Sequence, residues 1–136
     1  MTIILDTNVL VAAVRSPAGA AAEIMRRILQ GDIKTVASVP LFMEYEAVLL
    51  RPVHLKAARV SAADVNNLLD VLAGMVVPVE VFYLWRPQLK DANDDMVLEA
   101  AVSGQADAIV TFNTRDFLPS AEKFHIRVMK PSDFLK

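Results

Sequence analysis

The sequence predicts an α/β fold, a doubly wound and mostly parallel central sheet flanked by helices. Three observations carry this. Short, continuously apolar, β-branched runs alternate with longer stretches of helical period. Two of those runs, "IILDTN" and "IVTFN", pass abruptly from apolar to polar residues, as strands do where an open α/β sheet meets its ligands beyond the carboxyl ends. A chain of 136 residues that is 54% apolar can also bury roughly two thirds of the surface it exposes unfolded. One domain spanning residues 1–136 is expected.

The elements follow in order. Residues 2–6 read as a buried strand. Asp6 or Thr7 can cap the helix "NVLVAAVRS", which stops before Pro17. "AGAAAEIMRRILQG" is helical, with Ile24, Ile28 and Leu29 on one face and Gly31 as its stop. "IKTVAS" is a second strand, and Pro40 suits the first position of the helix "PLFMEYEAVLL". "RPVHLKAARV" is a break with a short helical stretch. Ser61 caps "AADVNNLLDVLAGM", with Asp64 as its partner in a capping box. Part of "VVPVEVFYLW" is a strand, restricted in the sheet by Pro78. "DANDDMVLEAAVSGQ" is a helix with an acidic start, "DAIVTF" a buried strand, "RVMK" a last short strand and "PSDFLK" a terminal turn or short helix.

Composition excludes several chemistries. With no cysteine there is no disulfide, thiol nucleophile or thiolate-held zinc. His54 and His125 lie far apart, against a histidine metal site. A net charge of -2 gives no global attraction for a polyanion, so a bound phosphodiester would need local basic residues or bridging cations. No apolar segment approaches the roughly 20 residues a membrane helix needs, and the start lacks a basic region followed by an apolar stretch and cleavage site. A cytoplasmic protein with no membrane association is the expectation.

Acidic residues fall where this topology wants chemistry. Asp6 ends the first strand. Glu44 stands in a mostly apolar helix, about 200° around it from Glu46, so that only one of the two can face a common site. Asp91, Asp94 and Asp95 open the later helix, with Asp91, Asp95 and Glu99 at i, i+4 spacing. Asn113 and Asp116 follow the "IVTF" strand. Singly, each has a plain structural reading: Asp6 as a helix cap, Glu44 as a solvated side chain, Asp91, Asp94 and Asp95 as helix N-terminal acids. Together, carboxylates that repel one another suit a shared hard cation with oxygen-only ligands, Mg2+ or Mn2+, and metal-assisted phosphodiester hydrolysis is the reaction this set fits.

At these residues the chain resembles the PIN-domain nucleases, whose fold is akin to that of the 5'-nucleases, and within them the VapC-like toxins of toxin–antitoxin systems. "ILDTNVLVAA", "LFMEYEAVLLRP", "DANDDMVLEAA" and "ADAIVTFNTRDF" match the family's motifs in order and cover nearly the whole chain. The resemblance implies a Mg2+- or Mn2+-dependent endoribonuclease acting on RNA, a small antitoxin partner and a homodimer. It maps the family's acids on Asp6, Glu44 and, in the later helix, Asp95, with Asp91 and Asp94 as neighbours. Many relatives carry an aspartate where this chain has Asn113. Either Asn113 serves through its carbonyl oxygen, the reading favoured by its place directly after the strand, or Asp116 takes over from three residues on, or a second metal is assembled only with substrate. Loss of that fourth acid leaves a second reading open, a weakly active or inactive PIN-like interaction module. Thr7, Asn8 and Thr111 look like polar supports that hold the carboxylates.

Among the basic residues Arg15, Arg51, Lys56, Arg59, Arg86, Lys90 and Arg115, the two that follow motif segments, Arg51 and Arg115, are the expected contacts to an RNA backbone. Tyr83 and Trp85 are candidates for stacking on a base. The apolar run "VFYLW" is a candidate for the dimer or antitoxin surface.

Overall fold

β1 (Thr2–Leu5) is the centre of the sheet, and its apolar run is the reason: Ile3, Ile4 and Leu5 are all but inaccessible to solvent. The structure is a computed structural model that describes residues 1–81, 89 and 91–136. After β1 come α1 (Thr7–Arg15), α2 (Ala20–Leu29), β2 (Lys34–Ser38), α3 (Val39–Leu49), α4 (Pro52–Ala58), α5 (Ala62–Met75) and β3 (Val77–Val79). The second half contains α6 (Ala92–Ser103), β4 (Ala108–Val110), α7 (Thr114–Glu122), β5 (Arg127–Met129) and α8 (Pro131–Phe134).

Every strand pairing among the described residues is parallel, in the order β3-β2-β1-β4-β5. The chain winds outward from β1 through β2 to β3, then returns to β4 on the other side of β1 and winds outward again. The direction therefore reverses between β1 and β4, and the crevice beyond their carboxyl ends is the topological switch point where such sheets bind ligands. The register Leu5↔Val110 brings Asp6 and Thr111, the next residue of each segment, side by side at that crevice.

Local chemistry explains most boundaries. Asp6 has extended backbone and caps α1, accepting the Thr7 amide. Gly31, at φ +83°, takes the left-handed turn that ends α2. α5 opens on a reciprocal capping box, Ser61 amide to Asp64 carboxylate at 2.9 Å and Asp64 amide to Ser61 hydroxyl at 3.1 Å. α3 starts one residue earlier than Pro40 suggests: Ser38, the last residue of β2, caps it by accepting the Leu41 amide at 3.2 Å, and Pro40 sits within the first turn. β3 is only three residues long and stands at the edge of the described sheet, where Pro78, paired with Ala37, is tolerated. Phe82, Tyr83, Leu84, Trp85, Arg86 and Lys90 lie outside the described residues, and with them most of "VFYLW", the stacking candidates and two of the basic candidates.

One helix was not expected. α7 runs through "TRDFLPSAE" with Pro119 inside it. A proline there lacks the amide for a helical bond and argues against helix in the sequence. Burial decides otherwise: Phe117, Ser120 and Ala121, at i, i+3 and i+4, form the inward face against the core. This helix carries Arg115 and Asp116 to the rim of the switch point.

Candidate active site

Asp6 is a buried carboxylate, 8% exposed, and both its oxygens are engaged. Oδ1 accepts the Thr7 amide at 2.8 Å, and Oδ2 accepts the Thr111 hydroxyl at 2.7 Å. The Thr111 hydroxyl in turn accepts the Asn113 amide at 3.0 Å, so the turn after β4 is tied through Thr111 to Asp6. Asn8 completes the tie from α1, its side-chain oxygen accepting the Phe112 amide at 3.5 Å. Burial pushes the Asp6 carboxyl above its usual range; the bonds from Thr111 and Thr7 pull it back, and the charges of Asp91 and Asp116 push it up further.

Those charges belong to a cluster. Asp94, half-buried on α6, is raised to about 6, first by burial and then by Asp6, Asp91, Asp116 and Asp95 in that order. Asp91, Asp94 and Asp116 line a depression of about 350 Å³ together with Arg115. Asp91 caps α6, folding back to accept the Asn93 amide at 2.8 Å. Asp6, Asp91, Asp94 and Asp116 thus come from three elements and feel one another at the switch point.

Several residues expected at the site are placed differently. Asp95 is buried, its Oδ1 accepts the Leu89 amide at 3.0 Å, and it is last among the charges acting on Asp94. Of the expected stripe, Asp95 and Glu99 stay together, the Glu99 carboxyl being pushed up by burial and then by Asp95, whereas Asp91 precedes the helix in extended backbone. Glu44 is half-buried on α3 and is not among the charges that act on Asp6 or Asp94. Asn113 is exposed and precedes α7 without a side-chain capping bond, whereas Asp116 bears on both Asp6 and Asp94. Both side chains are exposed, and the neutral Asn113 carries no charge by which the two could be compared. Thr7 acts through its amide, and Asn8 and Thr111 through their side chains. Arg115 lines the acidic depression, and Arg51 is an exposed residue that opens α4.

The donor set fits a hard divalent cation. It offers carboxylate oxygens alone, and the neighbouring acids push up the Asp6 and Asp94 carboxyls, a repulsion that a shared cation removes. As the side chains are placed, no three acidic or imidazole groups among the described residues stand close enough to hold one ion.

A stability test follows. Carboxyls raised in the folded state bind protons that the unfolded chain has already lost, so stability falls as pH rises through the window between 3.8 and about 6 set by Asp94. Asp6 shifts in the same direction. Glu23 and Asp64 shift the opposite way, but act below that window's upper half. The metal-free protein should melt higher at pH 5 than at pH 7.5, and millimolar Mg2+ should raise the melting temperature more at pH 7.5 than at pH 5. A melting temperature insensitive to Mg2+ and Mn2+ at both pH values would count against a shared-ion site.

The chain matches the PIN domain family over residues 2–115. No curated protein matches it by sequence. Among solved structures, a chain in the crystal structure of VapBC2 from Rickettsia felis bound to a DNA fragment from their promoter is similar in fold, with a TM-score of 0.59 at 12% identity, over 94% of this chain and 97% of that one. At that identity the likeness concerns the fold. The family match covers both strand ends that form the crevice, Asp6 and Thr111, and the helix that brings Asp94 to it; the chain belongs to the PIN domain family.

Proposed function

We propose that this chain is a Mg2+- or Mn2+-dependent endoribonuclease and the toxin of a toxin–antitoxin pair. The observation that carries the reading is the group of mutually repelling carboxylates around Asp6 at the sheet's switch point. PIN domains are generally nucleases, and nothing else in the described fold offers comparable hydrolytic chemistry. Asp6 and Asp94, flanked by Asp91 and Asp116, would hold the ion, with Glu44 and Asn113 as further oxygen donors and Asp95 supporting the start of α6. When bound, a divalent ion supplies an activated water and stabilises charge on a phosphate. Thr7, Thr111 and Asn8 fix the Asp6 carboxylate and the turn beside it before any ligand arrives. Arg115, in the same depression, is the cation best placed to bind a phosphate oxygen of the RNA, and Arg51 would bind the backbone farther along.

The test is incubation with a mixed RNA pool in Mg2+, Mn2+ or EDTA. Cleavage in either ion and none in EDTA is expected. Intact RNA under all three conditions favours the other reading, an interaction module, for which the neutral Asn113 speaks. Within the nuclease reading, Asp116→Ala should reduce cleavage about 10- to 100-fold, near 1.4–2.7 kcal/mol. An effect under threefold would give the fourth place to Asn113.

A small antitoxin partner is supported by the VapBC2 complex among the structural neighbours. For self-association the support is apolar exposure on α3, where Val39 is 66% and Met43 65% accessible. Sedimentation at tens of micromolar should give a homodimer, and Met43→Glu a monomer; a wild-type monomer at that concentration would remove the dimer. No described helix is long and apolar enough to cross a membrane. One domain over residues 1–136, working in the cytoplasm, completes the proposal.

A further inference from the structure

Tyr45 is a fully buried phenol on α3 whose hydroxyl donates to the backbone carbonyl of Leu5, forty residues away. That carbonyl belongs to the peptide that carries Asp6. The amide on the other side of the same peptide, Asp6 N–H, donates to the Val110 carbonyl of β4 at 3.0 Å. In a trans peptide the two groups point opposite ways, so Leu5 C=O faces the β2 side of β1. The β1–β2 pairing comprises Thr2↔Lys34 and Ile3↔Thr35 and stops short of Leu5, although β2 continues to Ser38, which that register sets level with Asp6, before the chain turns into α3. The Tyr45 hydroxyl takes the place a strand amide would have filled. The Leu5–Asp6 peptide is thereby clamped from both sides, which fixes its plane and the direction in which Asp6 projects its side chain into the crevice.

A buried phenol need not be tyrosine for packing alone. Phenylalanine would fill the same space; among the described residues the hydroxyl's hydrogen bond is to this carbonyl, and the charge of Asp6 also acts on it. We propose that Tyr45 is a positioning residue for Asp6: its hydroxyl aims the carboxylate and so sets the site's affinity for a divalent cation. Tyr45 also neighbours Glu44 on α3, so the same bond ties the helix bearing Glu44 to the end of β1. The inference rests on the reading of Asp6 as a metal ligand.

The test titrates Mn2+ into wild type, Tyr45→Phe and Ser61→Ala by calorimetry, with melting curves of each. Ser61→Ala removes the α5 capping box and controls for a general loss of stability. Both variants should melt below wild type, but only Tyr45→Phe should bind Mn2+ about tenfold more weakly. A Tyr45→Phe protein that melts lower yet binds Mn2+ with wild-type affinity overturns the proposal and makes the bond structural only. Wild-type protein that binds no Mn2+ overturns the metal reading itself, and the proposal with it. A measurement on wild type alone covers the case of an unfolded variant: saturation with Mg2+ should shift the 13C resonances of the Leu5 carbonyl and the Tyr45 ring carbon bearing oxygen. Mg2+ binding with neither resonance moving overturns the proposal.

Discussion

Asp6→Asn is expected to reduce RNA cleavage at least about 10³-fold, near 4 kcal/mol, and to leave the metal-free protein as stable as wild type or more so. The shape is unchanged. The amide oxygen can keep the bond from Thr7, and the amide nitrogen can donate to the Thr111 hydroxyl, which has lone pairs for this and for the Asn113 amide. What is lost is the acceptor of the Thr111 hydroxyl proton, which must turn elsewhere, and a charge that burial already disfavours and that Asp91 and Asp116 oppose. Removing it also removes the largest electrostatic contribution to the raised Asp94 carboxyl, so the pH dependence of melting should flatten in the variant. A charged ligand for a cation is thus exchanged for a neutral one while the helix cap survives. Were Asp6 only that cap, the variant would retain cleavage and lose a little stability. Cleavage above a tenth of wild type, with a lowered melting temperature, would take Asp6 out of the chemistry.

The residues that were legible in the sequence are those whose role is decided within a few positions. The strand, Asp6 and the helix after it follow from a buried β-branched run meeting a capping residue. The Ser61–Asp64 box is likewise local and forms as expected. The site was legible at the level of acids near strand ends, because the topology sends those ends to one crevice. It was not legible where distant contacts decide. Tyr45 reaches Leu5 across 40 positions and leaves no periodicity to read, and Thr111, 105 positions from Asp6, was legible as a support only through the family's motif. α7 was missed because Pro119 is a local argument against helix, while the burial of Phe117 that outweighs it is tertiary. That one miss also hid the route by which Asp116 reaches Asp6 and Asp94.

The choice between Asp94 and Asp95 has the same origin, and mutation separates the two residues sharply. Adjacent helix residues project about 100° apart, so one can face the crevice while the other turns inward. On α6, which Asp91 caps, Asp94 meets the Asp6 and Asp116 charges while Asp95 is buried and accepts the Leu89 amide. Asp94→Asn should therefore abolish cleavage, by about 10³-fold or near 4 kcal/mol, with the metal-free melting temperature equal to or above wild type, because a half-buried and repelled charge is removed. Asp95→Ala should act mainly on stability. It strands the Leu89 amide where Asp95 was its acceptor, a cost of about 1–3 kcal/mol, read as a melting temperature lower by several degrees in a domain of this size. Below that melting temperature, cleavage by Asp95→Ala should stay within about tenfold of wild type, or 1.4 kcal/mol. The opposite pattern, an active Asp94→Asn beside a stable and inactive Asp95→Ala, would mean that the ion is held by the buried acid and that α6 turns on binding to release Asp95 from the Leu89 amide.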